Sequence, residues 1–438
     1  MEWIIGFVFC LALLPGVGPN INIIFFHLSP LRVGILCFIA IYALCYIRRR
    51  DNQKPILQAD NRYSILFVVA WFVYSLLTIF WVKDVAAWIH AEYFLGLSAL
   101  CTVFFSLSNI TIRGFYRIFC MVGVVVFIQN IIGWFEMLTK RYYFAPIERV
   151  ERMRAFRVYY PISTFVNQND YALFLLFGVC VSGLLVYTCR RISLKIMNLL
   201  VCTSSIVLIW KTGSRGAFLG LALGILVIWV VCLANKIKVV TGSLAVLTVA
   251  IICILFSQRL LSLMGNMQNV AEFDTNYIHI DSDTVRLNLL RNGFEFLQQT
   301  FGVGVGSGNV EYWMSNHAVH NVREFLNMHN WWMENLTNFG ILFFVSYITF
   351  YCHMLYVLYK AVKRNADRYH KGIAAVFFVF HSMYSVASVS SSSNFSTEWL
   401  WIFWALMIAF QGVSTSKIKR EIIDENFTWS NRSGRTRN

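Results

Sequence analysis

Tyr171-Ala-Leu-Phe-Leu-Leu-Phe-Gly-Val-Cys180-Val-Ser-Gly-Leu-Leu-Val-Tyr187 runs without a single charge and soon meets the pair Arg190-Arg191. A helix of about twenty such residues, rising 1.5 Å per residue, crosses roughly 30 Å of hydrocarbon. Its apolar residues fall on every side, which marks a helix buried in a core or in lipid. Working outward, windows of the same kind recur along almost the whole chain. Apolar residues make up 58% and charged residues 13% of the 438, and the mean hydropathy is +0.60. A soluble domain carries roughly a quarter charged residues. The expectation is an all-α polytopic membrane protein, 1–438 forming a single integral membrane domain.

Twelve transmembrane helices are expected, at 3–24, 31–47, 63–82, 88–107, 117–138, 168–187, 197–210, 217–234, 239–257, 333–358, 372–389 and 399–412. Pro15, Gly16 and Gly18 interrupt the first, so it is broken or tilted. The N-terminal run Met1 to Leu14 has no basic flank and no small-residue cleavage site, and reads as the first span. Under this count Arg48-Arg49-Arg50, Arg113 with Arg117, Arg190-Arg191, Lys236 with Lys238, and Lys360 to Lys371 share one side. The basic tail 413–438 joins them. Basic loops stay cytoplasmic, so both termini are expected there. The same rule accounts for most of the formal charge of +15. The eleven cysteines sit in or beside apolar runs, as small core hydrophobes, with no CxxC pair.

Two longer segments fall on the outer face, 139–164 and 258–330, the latter a large extracytoplasmic loop between spans nine and ten. Within it Ser282-Asp283-Thr284 offers helix caps, and Leu287, Leu290, Phe294 and Leu297 follow at helical spacing. The spacing predicts a short amphipathic helix lying near the membrane surface.

The first outer segment opposes the charge rule. Lys140, Arg141, Arg149, Arg152, Arg154 and Arg157 face only Glu148 and Glu151. Either an anionic partner meets this patch, since arginine presents a rigid fork to phosphate oxygens, or the loop is solvated and touches lipid headgroups. Arg215, in the short turn Lys211-Thr-Gly-Ser-Arg215-Gly-Ala, either faces a cavity or pathway or snorkels at a helix end. The run Gly302-Val-Gly-Val-Gly-Ser-Gly308 follows no βαβ strand, so it is not a dinucleotide fingerprint; a flexible turn leading back to the membrane is expected. His317, His320 and His329 match no zinc spacing and have no cysteine beside them. No metal is expected. His329 differs from the other two because it stands beside Asn330 where the loop re-enters the membrane, placed to act as a general base. The chain has no P-loop lysine motif and no GxSxG elbow, so the energy for any reaction arrives in the substrate, with no cofactor.

Four local patterns, in order, then carry a resemblance. They are Arg157-Val-Tyr-Tyr-Pro-Ile-Ser-Thr-Phe-Val-Asn167-Gln-Asn169-Asp-Tyr-Ala; Thr212-Gly-Ser-Arg215-Gly-Ala; Arg286 upstream of the Gly302–Gly308 run; and His329-Asn330 followed by Glu334 and Phe339-Gly340-Ile341. Together these resemble the O-antigen ligase and repeat-unit (capsular) polymerase superfamily of bacterial polysaccharide assembly. Gln168, where members often have proline, departs from the pattern.

The resemblance implies a polyprenyl-pyrophosphate-dependent glycosyltransferase whose donor is a glycan on undecaprenyl pyrophosphate. Catalysis would fall to His329 and Arg215, and substrate binding to Arg157, Arg286, Asn167, Asn169 and Asn330. Implied partners are the lipid-linked glycan, an acceptor glycan, membrane lipids, and chain-length-regulator and flippase proteins, with no nucleic acid. A polymerase extends the glycan with another repeat unit, whereas a ligase passes it to lipid A core or another acceptor. Frequency favours the polymerase. The reading from another class is a lipid-linked-oligosaccharide flippase, which would put its polar residues at the bilayer midplane in broken helices; here they concentrate in outer loops.

Overall fold

The computed structural model describes residues 1–17, 21–23, 26–48, 61–232, 282–364, 367–389 and 394–414. The described chain is helical apart from one small hairpin. Its helices are α1 (Glu2–Ala12), α2 (Pro30–Arg48), α3 (Arg62–Leu77), α4 (Val85–Leu107), α5 (Ile112–Thr139), α6 (Ile147–Ala155), α7 (Gln168–Thr188), α8 (Ile192–Thr212) and α9 (Arg215–Val227). After them come α10 (Ser282–Gln299), α11 (Val310–His317), α12 (Trp331–Arg364) and α13 (Arg368–Ala387), and α14 (Glu398–Ser414). The hairpin pairs β1 (Ile21–Ile23) with β2 (Phe26–Leu28), Ile21 opposite Leu28.

Among the described residues, six helical stretches are long and apolar enough to cross a membrane: Arg62–Phe80, α4, α5, α7, α8 and α12. Four shorter apolar helices accompany them, at Glu2–Ala12, Pro30–Cys45, Arg215–Val231 and Glu398–Ser414. The architecture is that of a multi-pass membrane protein. The expected first span, 3–24, ends early: α1 stops at Ala12, and β1 occupies Ile21–Ile23. The eleven residues of α1 cover only about 16 Å. The span expected at 239–257 and the loop stretch 258–281 lie outside the described residues. Of the tail expected from 413, the first two residues still belong to α14, because its apolar face runs on to Val413.

α7 is the hub, packing against α5, α8, α9 and α13. Tyr171, Ala172, Leu173, Phe174, Leu175, Leu176 and Phe177 are all buried, which is why its sequence shows no polar face. The bundle has two distinct ends. At one, Arg117 pairs with Glu2 at 3.3 Å, Arg368 donates to the Tyr187 carbonyl, and Tyr116 meets Tyr369 edge-on. The basic segments 111–117, 187–191 and 367–371 therefore gather there. At the other end stand the start of α7, α6, and the described part of the large loop, 282–330.

Residues 282–330 have a small core of their own, built from Val285, Leu289, Phe296, Leu297, Val305, Val310, Met314, Val322 and Met328, with Met333 of α12. The amphipathic helix forms where the caps and spacing predict, but its buried face is partly turned. Leu290 and Leu297 pack inward as expected, Leu287 and Phe294 are exposed, and Val285, Leu289, Asn292 and Phe296 complete the inner face. A polar residue occupies that face because it satisfies the backbone it meets. The Asn292 amide oxygen accepts from the N–H groups of Val319 (3.0 Å) and His320 (2.8 Å), and its nitrogen donates to the His320 carbonyl at 2.8 Å.

The glycine run is not a free turn. Val305 and Gly306 donate to the carbonyls of Thr337 and Asn338, both at 2.9 Å, and Ile341 donates to the Gly302 carbonyl at 2.9 Å. The contact is possible because α12 breaks its helical geometry at Gly340, with φ 80° and ψ 176°. The large loop is thereby bonded, backbone to backbone, to a membrane helix.

Candidate active site

A cavity of about 390 Å³ opens where four segments meet. Arg149 and Arg152 come from α6; Asn167, Gln168 and Asn169 from the start of α7; Val285, Arg286 and Leu289 from α10; and Phe325 and His329 from the loop before α12. Residues far apart in sequence converge there, each held by a local reason.

α6 follows Pro146 and buries only Met153, leaving its arginines available. Arg149 donates to the Gln168 side-chain carbonyl. Burial, and then the neighbouring Arg152, push the Arg149 guanidinium down from its ordinary value, since both disfavour the charged form. Arg152 lies 3.9 Å from Glu324, an exposed pair of small energetic weight.

The stretch 158–167 is not a solvated loop. Pro161, Ile162, Ser163, Thr164 and Phe165 are buried, drawn back into the bundle by α5. The Glu136 carboxylate accepts from the backbone N–H groups of Ile162 (2.8 Å) and Ser163 (2.7 Å). Gln129 donates to the Thr164 hydroxyl at 2.7 Å and to the Leu13 carbonyl at 2.8 Å. This anchorage delivers Asn167 to the head of α7. There its oxygen accepts from the N–H groups of Asn169 (2.8 Å) and Asp170 (3.0 Å), and its nitrogen donates to the Asp170 carboxylate at 2.6 Å. Asn167 is thus the N-cap, and the positive end of the α7 dipole faces the cavity.

On α10, Val285 and Leu289 are buried and Arg286 beside them is exposed to the cavity. His329 adopts φ 48°, uncommon for a residue with a side chain. Its N–H is held by the Asn327 side-chain oxygen at 2.9 Å, and its ring meets Phe325 edge-on at 5.9 Å. The following Asn330 caps α12, accepting from Trp332 at 3.1 Å and Met333 at 3.2 Å. Backbone fixed on both sides sets where the imidazole can reach.

Three guanidiniums, a helix N-terminus and an imidazole around one cavity make a receptor for a polyanion with a proton acceptor beside it. A profile described as O-antigen ligase matches residues 199–348. The teichuronic acid biosynthesis protein TuaE of Bacillus subtilis strain 168 is 27% identical over 397 residues, covering 89% of this chain and 80% of the relative. Residues 199–348 are similar to O-antigen ligases.

The matched region contains Arg215, Arg286, His329 and Asn330. Arg149, Arg152, Asn167 and Asn169 enter from outside it. Of the residues singled out in the sequence, Arg286, His329, Asn167 and Asn169 line the cavity. Arg157, Arg215 and Asn330 are not among its lining residues. Arg157 is exposed just past α6, at φ 53°, and Arg215 is the exposed first residue of α9. Sequence reading counted Arg149 and Arg152 in a basic patch without choosing them from it. Their three-residue spacing on a short polar helix was the available signal. Gln168, which departs from the family's pattern, is the residue that holds Arg149.

Proposed function

We propose that this chain is a membrane glycosyltransferase that polymerises undecaprenyl-pyrophosphate-linked repeat units into a surface polysaccharide. The observation that carries the reading is the convergence of Arg149, Arg152 and Arg286 with His329 on one cavity. The arginines bind the donor's pyrophosphate, and His329 accepts the proton of the acceptor hydroxyl. That oxygen attacks the anomeric carbon, and the bond from this carbon to the pyrophosphate oxygen breaks with its electron pair staying on the leaving group. The arginines gain strength of interaction as that charge develops. The apolar bundle beside the cavity takes the polyprenyl chain. This end of the bundle is then extracytoplasmic, in a cytoplasmic membrane, with both termini inside; the basic segments at the opposite end support that orientation.

Incubation of the purified, bilayer-reconstituted protein with a lipid-linked repeat unit tests this directly. A ladder of lengthening glycans is expected. Donor left unchanged would overturn the reading, and transfer of a single unit to a non-repeat acceptor would replace polymerase by ligase.

A further inference from the structure

A second, smaller cavity of about 180 Å³ lies at the same end of the molecule. It is walled by His90 and Phe94 of α4, Glu311 of α11, Glu334 and Asn338 of α12, and Phe395. Asn338, one of the lining residues, is 2% exposed, and its side-chain oxygen has no hydrogen-bond partner in the protein. A buried amide oxygen left this way costs free energy unless a ligand or water meets it. The walls are held without slack: a Cβ on Gly308 would lie 2.6 Å from the Ala87 carbonyl oxygen. Asn309 accepts from the N–H groups of Lys83 and Asp84 at 2.9 and 2.7 Å.

One side chain joins this cavity to the first. Asn327 donates to the Glu311 carboxylate at 3.1 Å and accepts from the His329 N–H at 2.9 Å. An occupant that engages Glu311 therefore bears on the residue that positions His329.

We propose that this cleft is the acceptor-sugar subsite, taking one uncharged sugar ring at the end of the acceptor glycan. The proposal rests on the glycosyltransferase reading above for its role, but its ligand chemistry stands on the cleft alone. The carboxylates and the Asn338 oxygen are acceptors matched to sugar hydroxyls, which donate, and Phe94 and Phe395 offer apolar faces to ring C–H groups. Two carboxylates in one small cavity disfavour an anionic ring, so uronic acids are rejected. The volume suits a single ring rather than the pyrophosphate-bearing end of a donor, for which the arginine cavity is larger. Asn327 is a positioning residue, linking acceptor occupancy to His329.

Saturation-transfer NMR with the full-length reconstituted protein tests the cleft without any donor, using methyl glucoside, methyl N-acetylglucosaminide and methyl glucuronide as probes. At least one neutral glycoside is expected to bind, with the glucuronide at least about tenfold weaker. Glu311→Gln, at an exposed position that leaves folding unaffected, and Asn338→Ala, which removes the acceptor oxygen, should each weaken neutral-sugar binding about tenfold or more, the scale of one hydrogen bond to a charged partner. Arg286→Ala should leave it unchanged. Failure of every neutral glycoside to bind, equal binding of the glucuronide, or wild-type binding by Glu311→Gln would overturn the proposal. Sugar binding with the expected variant pattern but no ladder from the lipid-linked repeat unit would instead sink the polymerase reading and leave the cleft standing.

Discussion

Gly304 and Gly340 meet backbone to backbone: a Cβ on Gly304 would lie 2.6 Å from the Gly340 amide nitrogen. The reverse is as tight, since a Cβ on Gly340 would stand 2.3 Å from the Val303 carbonyl oxygen. Gly340 also has φ 80° and ψ 176°, a region that is essentially glycine-only and costs about 1–3 kcal/mol for other residues. Gly340→Ala should therefore release the large loop from α12 and lower the thermal stability of the detergent-solubilised protein, read by fluorescence-detected size exclusion. Gly183→Ala is the control, because a Cβ there meets nothing within 4 Å, and its melting should not fall. Equal behaviour of the two variants would refute the docking.

Glu136 governs the cavity from inside the bundle. It is 1% exposed and holds the N–H groups of Ile162 and Ser163. Glu136→Ala leaves both donors without their acceptor, at about 1–3 kcal/mol for each buried group. The strand of chain leading to Asn167 then loses its anchor, so stability and transfer activity should fall together. A variant that is thermally weakened yet turns over at the wild-type rate would separate the anchor from the site.

For the arginines the expected order is set by geometry. Arg149→Ala and Arg286→Ala should each slow transfer about a hundredfold or more, corresponding to roughly 2–4 kcal/mol of lost transition-state stabilisation. Arg286→Lys should restore little, because an ammonium cannot replace the bidentate fork. Arg291, on α10 but absent from the cavity lining, should tolerate alanine. Turnover assays at matched expression decide this, and an unimpaired Arg286→Ala would remove the pyrophosphate assignment.

His329 as general base contributes about a hundred- to ten-thousandfold. His329→Ala should nearly abolish transfer while donor binding survives, whereas His317→Ala and His320→Ala should stay active. His329→Gln discriminates chemistry from scaffolding, since an amide can donate and accept hydrogen bonds but cannot take the proton. Substantial transfer by this variant would leave catalysis to the arginines. Asn327→Ala should lower kcat with little effect on donor KM, because it frees the His329 backbone without touching the arginine cavity.

Composition and charge-free runs such as Tyr171 to Tyr187 were enough to establish helices in a membrane, because lipid permits few alternatives to a helix whose backbone bonds are internal. The family resemblance singled out Arg286, His329, Asn167 and Asn169, which line one cavity, and equally Arg157, Arg215 and Asn330, which do not. What the linear chain did not reveal was which cations share a cavity. Arg149 and Arg152 join the site only because Glu136 and Gln129 pull 158–167 into the bundle, a pairing of residues 26 to 35 positions apart with no local signature. The partly turned face of α10 was equally hidden, since an asparagine is buried there only to satisfy the loop that crosses it. The glycine run looked flexible by residue type, and becomes fixed only when Gly340 offers a second bare backbone to meet it. Periodicity records what a helix hides from water or presents to lipid; which backbone groups find each other across the fold is decided by tertiary packing.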